Sequence, residues 1–281
     1  MKAKISVLIL TLNEELNLTQ CLKSVKDLAS EIIIVDSGST DKTKEIAESF
    51  GAKVVFHEFI NQAKQFNWAL DNLEINNEWI LRLDADEFLT PELVKEIAET
   101  LLVTEDIVSG FYLKRRVYFM GRWIKHGSYY PTWILRLFRK GKARSENREM
   151  DEHIILSEGN AGHMKNDFVD ENKNKLSWWI ERYNKYSTRE ASAFISAEGQ
   201  VVSENLSGSQ TERKRWLKNN LYYKSPKFMR AFLYFFYRYF LRLGFLDGVE
   251  GLIFHFLQGF WYRFLIDAKI YEAERGIKNK R

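Results

Sequence analysis

Cysteine is almost absent: Cys21 stands alone among 281 residues. That excludes an internal disulfide and leaves no thiolate partner for a structural zinc site, which favours a reducing compartment. Proline occurs only three times, and no Ser/Gly/Pro-rich stretch marks a flexible linker. There is no self-similarity at a solenoid period. No apolar run reaches the roughly 20 residues needed to cross a bilayer without an interrupting charge. The run Ile5 to Leu12 follows Lys2 and Lys4, yet it is short. Asn13-Glu14-Glu15 stands where a signal peptide needs small residues, so the run reads as a buried first strand.

What is present is a large apolar fraction, 45%, enough for a real core and against wholesale disorder. The net charge of +4 is unevenly spread. Between Lys173 and Arg242 fourteen Lys/Arg face five Asp/Glu, an asymmetry that predicts an anionic surface as a partner of the C-terminal part.

The first hundred residues alternate short β-branched runs with helical stretches. Ile5–Leu10, Glu31–Val35, Lys53–His57 and Trp79–Leu83 read as strands. Glu15–Asp27, Asp41–Phe50, Asn61–Leu73 and a stretch opened by Thr90-Pro91-Glu92 read as helices. Such alternation predicts a mostly parallel sheet with helices on both faces. After residue 106, Gly110–Phe119 and Thr132–Arg139 read as longer strands of a mixed extension. Leu176–Ala197 reads as a helix, and Phe228–Tyr271 is dominated by aromatics and leucines.

In open α/β sheets ligands bind beyond the carboxyl ends of the strands. Three polar clusters fall there: Thr11-Leu12-Asn13-Glu14, Asp36-Ser37-Gly38-Ser39-Thr40-Asp41 and Asp84-Ala85-Asp86-Glu87. Asp41 reads as a helix cap. Asp36, between an apolar run and a Ser-Gly-Ser turn, reads as a ligand contact. If the fourth strand continues through Asp84 and Asp86, both carboxylates share a face and repel each other. A hard divalent cation, Mg²⁺ or Mn²⁺, removes that repulsion and can be shared with substrate phosphates.

These three clusters, in this order, resemble the successive motifs of family 2 glycosyltransferases, inverting enzymes of the GT-A fold. Trp133-Ile134-Leu135-Arg136-Leu137-Phe138-Arg139, Asp151-Glu152, Arg182-Tyr183-Asn184-Lys185-Tyr186 and Gly244-Phe245-Leu246-Asp247-Gly248 extend the resemblance. They point to a bacterial branch that includes lipopolysaccharide-core glucosyltransferases. The resemblance implies a GT-A (Rossmann-like) mixed, mostly parallel sheet flanked by helices. Its nucleotide-sugar-binding half would span 1–105 and its acceptor-binding half 106–170. A helical aromatic/basic extension would occupy 171–281.

It further implies that Thr11 and Asp36 hold the nucleotide base, usually uracil, with Asn13 and Glu14 in the same pocket and Lys64 as a basic contact. Asp84 would sit near ribose and metal, and Asp86 would bind the metal. Arg136 would brace a phosphate. Glu152 or its neighbour Asp151 would be the base, Glu152 matching the position where relatives carry His-Glu. Asp151 replaces the histidine of that pair. Asp170 stands where relatives carry histidine before a Leu-x-x-Trp helix, so no metal contact is assigned to it. His126, His153 and His163 are candidate extra ligands, each by itself reading as structural or solvent-exposed.

The expected reaction moves one hexose from a nucleotide-sugar, a UDP-sugar by resemblance, to a hydroxyl of a lipid-linked saccharide at the cytoplasmic face of the membrane. A polyprenyl-phosphate sugar synthase and a non-catalytic sugar-nucleotide-binding protein are the alternatives. A sugar-1-phosphate nucleotidyltransferase would need a Gly-rich loop that Thr11-Leu12-Asn13-Glu14 is not. Glu212-Arg213-Lys214-Arg215-Trp216 is a near-match to the Gln-x-x-Arg-Trp motif of processive members, without their membrane spans. No DNA- or RNA-binding motif accompanies the basic surface, so nucleic acid is not an expected partner. Lys227, Arg230, Arg238 and Arg242 fall on one stripe at 3.6 residues per turn, with phenylalanines around the remainder. That pattern predicts a basic, aromatic helix docking on anionic lipid.

Overall fold

Of four apolar runs near the N-terminus that become parallel strands, those at 5–9, 32–35 and 79–83 are covered on both faces, while 53–56 lies at the sheet edge. The structure, a computed structural model, describes residues 3–146, 152–196 and 210–278. Strands β1 (Ala3–Thr11), β2 (Ala29–Asp36), β3 (Lys53–Phe56) and β4 (Trp79–Asp84) lie in the order β3-β2-β1-β4. Alternation sends neighbours to opposite layers. Val7 and Ile9 join Leu18, Leu22 and Val25 in one apolar cluster, while Leu8, Ile33 and Val35 join Phe66 and Ala69 in the other.

The helices between them are α1 (Leu18–Val25), α2 (Thr43–Ser49), α3 (Gln62–Asn72) and α4 (Pro91–Thr100). α1 buries Leu18, Cys21, Leu22 and Val25, the spacing of one helical face. Asn61 caps α3 by accepting from the Lys64 N–H at 2.8 Å. Thr90 caps α4 ahead of Pro91, the local chemistry that starts a helix.

The sheet then becomes mixed. It gains β5 (Glu87–Leu89), β6 (Val108–Phe119), β7 (Arg122–Trp123) and β8 (Thr132–Arg139). β9 (Ala143–Ser145) and β10 (Ile154–Leu156) form a separate two-stranded sheet, and β11 (Asn160–Glu171) rejoins the main one. The order continues β4-β8-β6-β11-β5, with β8 antiparallel to both neighbours and β11 parallel to β6. This is the mixed, mostly parallel sheet flanked by helices that the sequence predicts. β11 was not expected, since its twelve residues are largely polar and carry little β-branched signal.

The chain divides into two compact units. The first is Met1–Trp123 with Tyr130–Lys173, so the two expected halves form one body. The second is Asn174–Arg281 together with the loop Ile124–Tyr129. Within this second unit lie α5 (Leu176–Ser196), α6 (Gln210–Leu217), α7 (Met229–Phe236), α8 (Gly248–Phe254) and α9 (Tyr262–Lys278). Wider π-turns at Lys218–Tyr222, Tyr237–Leu241 and His255–Trp261 adjoin them. α5 and α9 pack through Ala191, Tyr262, Ile266 and Ile270.

Glu190 is the polar anchor of that packing. It accepts from Tyr262 Oη at 2.7 Å and Tyr223 Oη at 3.0 Å, and pairs with Lys218 at 2.9 Å and Arg263 at 3.1 Å. Burial works against its charge, but Arg263, Lys218 and the Tyr262 hydroxyl outweigh it and hold the carboxyl at about 2. A carboxyl depressed on folding stabilises above its unfolded pKa and loses that stabilisation as pH falls through the folded value. The second unit is therefore expected to lose about 3 kcal/mol between about pH 5 and pH 2. Near-UV circular dichroism across that window, with Glu190→Gln as an acid-insensitive but already weakened comparison, measures it.

The structure corrects two of the four cations in the basic stripe expected on the lipid side. Arg230 is 2% exposed, with its Nε 2.9 Å from Asp267. Arg238 is 5% exposed, donates to the Gly127 carbonyl at 2.7 Å and lies 3.7 Å over the Tyr129 ring. Lys227 pairs with Glu274. Arg230 and Arg238 turn inward because each finds a carboxylate, carbonyl or ring there, whereas Lys227 is half-buried and Arg242 stays exposed. Periodicity alone reports only that they share a face.

Candidate active site

Parallel register brings the sequence clusters together. Thr11 lies opposite Asp36 across β1 and β2, and Leu10 lies opposite Asp84 across β1 and β4. The Thr11 hydroxyl donates to Asp36 Oδ1 at 3.0 Å. The turn after β2 curls around that carboxylate, so Gly38 N–H and Ser39 N–H donate to Oδ2 at 2.9 and 2.8 Å and the Ser39 hydroxyl to Oδ1 at 2.5 Å. Burial works to raise the Asp36 carboxyl, yet these donors hold it below its usual range. It is an anion at neutral pH, fully buried, with both oxygens held by donors of the surrounding loops.

Asn13 completes this loop from a left-handed conformation, φ 57°, accepting from Thr40 N–H at 2.8 Å. Glu14 is tied to Thr43 through its own N–H and accepts from Asn17 at 2.7 Å. Lys64 is exposed in the first turn of α3. In the same helix, Gln65 donates to Ser37 at 2.6 Å.

Asp84 ends β4, but Asp86 does not continue it. The chain turns at Ala85-Asp86 before β5, so the shared-face arrangement conditional on an extended strand is replaced by a tight turn. Asp84 sits between Arg82 at 3.2 Å and Arg136 at 3.0 Å. Glu87, 2% exposed, accepts from Arg136 and from the Asp84 N–H. Asp86 receives a hydrogen bond from Asn172 at 2.9 Å, and its carbonyl accepts from the Glu171 N–H. β11 aligns Asp170 with Glu87, and Arg115 pairs with Asp170 at 3.4 Å.

Four carboxylates and three arginines thus converge. Burial pushes the Glu87 carboxyl up to about 8 despite Arg136, with Asp84 and Asp170 adding to the shift. Burial, together with Asp86 and Asp84, raises Asp170 to about 6 against the pull of Arg115. Burial likewise raises the Cys21 thiol, keeping it an inert packing group. Glu87 and Asp170 rise chiefly through burial, with neighbouring carboxylates adding to it, and a cation nearby would counter both effects.

Among the described residues, no three His, Cys, Asp or Glu side chains form a ready-made metal cage. The donor set still fits a hard cation of the Mg²⁺ type, which takes one or two carboxylates and fills its remaining positions with phosphate oxygens and water. Asp86, which spends one hydrogen bond on Asn172, is better disposed for this than Asp84 between two guanidiniums.

Glu152 is half-buried immediately ahead of β10. The β9–β10 pair is tied to α3 by Asn67, which exchanges two hydrogen bonds with Ser145 at 2.9 and 3.0 Å. Asp151 lies outside the described residues. Sequence reasoning assigned no role to Glu87, Arg82, Arg115, Asp170 or Asn172. The available signal was Arg82 within the apolar run of β4, a charge that needs a buried partner of opposite sign, whereas Arg115 is the middle of three consecutive cations in β6.

The model of "Glycosyl transferase family 2" matches residues 6–168. The lipopolysaccharide core biosynthesis glycosyltransferase LpsC of Rhizobium meliloti (strain 1021) is 31% identical over 96% of this chain and 93% of its own length. An uncharacterized glycosyltransferase of Rickettsia typhi, RT0209, is 29% identical over 98% of this chain and 89% of its own. Among solved structures, S. aureus TarS 1-349 aligns over 100% of this chain and 92% of its own at 16% identity and TM-score 0.48. Mycobacterium tuberculosis glucosyl-3-phosphoglycerate synthase, crystallised with Mn²⁺, UDP and its glucosylated product, aligns over 41% of this chain. That alignment covers 44% of the synthase, at 26% identity and TM-score 0.33.

Proposed function

The chain belongs to glycosyl transferase family 2, and on that premise we propose that it is an inverting, metal-dependent hexosyltransferase. It would use a UDP-sugar donor and a hydroxyl of a lipid-linked saccharide in lipopolysaccharide-core assembly, at the cytoplasmic face of the membrane. The observation that carries the reading is the strand register that sets Thr11 beside Asp36 and Asp84 one strand away, with Asp86 in the turn that follows. The likeness to LpsC along nearly its whole length supports the choice of pathway.

In this reading Asp36 and Thr11 accept and orient the base, and Asn13, Glu14 and Lys64 border it. Mg²⁺ or Mn²⁺ held by Asp86, with Asp84 near the ribose, would neutralise charge on the departing diphosphate. Arg136 keeps Asp84 and Glu87 in place and stands ready to share its guanidinium with a phosphate. Glu152, or Asp151 beside it, takes the proton of the acceptor hydroxyl. The hydroxyl oxygen bonds to the anomeric carbon as the carbon–oxygen bond to the diphosphate breaks, which inverts the centre in one displacement. The products are the extended saccharide, the nucleoside diphosphate and a protonated carboxyl.

Donor turnover over a panel of nucleotide-sugars, with Mn²⁺, with Mg²⁺ and with chelator, tests this. A UDP-sugar is expected to be consumed with metal, and chelation is expected to lower the rate by at least about a hundredfold. No turnover of any donor, with metal making no difference, would remove the enzyme reading and leave a sugar-nucleotide-binding protein.

A further inference from the structure

The C-terminal unit is built with its charges inside. Between Met229 and Phe264 the chain carries four arginines, an aspartate, a glutamate and a histidine. Arg230, Arg238, Asp247 and His255 are buried, and Arg263 is engaged with Glu190. Arg242, which donates to Ser128 at 2.7 Å, and the half-buried Glu250 are what remains near the surface. The side chains that do face outward are large and apolar. Phe232 (55%), Phe236 (52%), Phe240 (47%), Leu241 (64%), Leu246 (50%) and Phe256 (45%) are among them.

The phenylalanines among them form one continuous field. Phe236 and Phe240 are in ring contact at 5.1 Å, and Phe240 meets Phe235 at 6.5 Å. Phe235 meets Phe256 and Phe260, and Phe260 contacts Phe232 at 4.5 Å and Phe264 at 5.6 Å. Exposed apolar patches of this kind are uncommon on proteins that meet only water. An inward-facing polar network under an outward apolar surface is the arrangement that hydrocarbon selects, because lipid tails satisfy no hydrogen bond.

We propose that this face of α7 and the π-turns Tyr237–Leu241 and His255–Trp261 seats in the acyl boundary of a lipid leaflet, held by apolar burial rather than by attraction to anionic headgroups. The proposal deepens the reading of a lipid-linked acceptor and rests on it for its purpose, though not for its physics. The charge distribution chooses the occupant. A protein partner, including a second copy of this chain, is gripped through a polar rim, with about one hydrogen bond per 100–200 Å² and with tyrosine, tryptophan and arginine as anchors. Here phenylalanine and leucine dominate, and the arginines are committed elsewhere. No helix among the described residues is long and apolar enough to cross a membrane, so the face would lie in the interface plane.

Flotation of the full chain with pure phosphatidylcholine vesicles tests the proposal, at about 0.05 and about 0.5 M NaCl, where screening separates charge from apolar attraction. The chain is expected to float with neutral vesicles, and the higher salt to change binding by less than about twofold. Phe236→Glu/Phe240→Glu is expected to weaken binding at least about tenfold, with an unchanged near-UV spectrum and unchanged donor turnover. Binding that requires anionic lipid and vanishes at high salt would overturn it in favour of headgroup attraction. A dimer that the double variant converts to monomer, with vesicle binding unaltered, would assign the face to a second copy instead. Vesicle binding without turnover of any donor would leave this inference standing while the catalytic reading failed.

Discussion

Asp86→Asn is expected to lower sugar transfer by about a thousandfold or more, equivalent to about 4 kcal/mol of transition-state stabilisation, while shifting the melting temperature by no more than about 3 °C. The separation follows from what each carboxylate does. Asp86 is half-buried in a turn and accepts a side-chain hydrogen bond from Asn172, an interaction an asparagine can largely reproduce. Its charge is the property lost, and charge is what a hard cation needs.

Asp84→Asn is a different experiment. Arg82 and Arg136, 4% and 5% exposed, would keep their charges while losing their shared anion. Breaking a buried ion pair from one side costs about 3–5 kcal/mol. That variant is expected to lose stability as well as turnover. Thermal melts with and without Mn²⁺, run beside rates, distinguish the two. Equal destabilisation by both substitutions would mean that Asp86 is part of the scaffold.

The second large effect is expected at Glu152. Glu152→Gln should lower transfer to a hydroxyl acceptor by about a hundred- to ten-thousandfold, with nucleotide affinity unchanged, because removing a base affects the step and not the donor site. Asp151→Asn is expected to change transfer by less than about fivefold. The reverse ranking would move the base to Asp151. A phosphate acceptor has no hydroxyl proton to lose, so near-normal rates in both variants would favour the polyprenyl-phosphate alternative. Rates with an oligosaccharide acceptor, alongside binding of UDP, make the comparison.

Much of the candidate site at the strand ends was legible in the sequence because it depends on local chemistry. The apolar runs, the helix start at Thr90-Pro91, and the polar clusters after strands are written in adjacent residues. Parallel pairing then forces those strand ends to one edge. The burial of Asp36 among its own turn's N–H groups was foreshadowed by Ser37-Gly38-Ser39, where small residues let the backbone fold back.

What was not legible depends on residues far apart in the chain. Asp170 joins Glu87 only because β11 pairs with β5, and nothing in Asn160–Glu171 announces a strand. Arg136 was expected to meet a phosphate, and its engagement with Asp84 and Glu87 depends on β8 lying next to β4. The orientation of α7 is the sharpest case. Helical spacing separates two faces correctly but carries no sign. Asp267, which draws Arg230 inward, is 37 residues away from it in the chain. Gly127, whose carbonyl receives Arg238, is 111 residues away, and Tyr129, under the same guanidinium, is almost as distant.

The loop Ile124–Tyr129 belongs to the helical unit although sheet strands precede and follow it. In that loop, His126 is bonded to Asp247 at 2.6 Å, and Gly127 donates to the Arg242 carbonyl at 2.8 Å. An added methyl on Gly127 would strike the His255 ring. The polypeptide therefore passes between the units three times, not once. Ending the gene after Lys173 would strip this hexapeptide of its partners, and grafting the helices onto another transferase would leave a gap where it fits. A change in the loop Ile124–Tyr129 must therefore be matched in the helices that hold it, and the reverse.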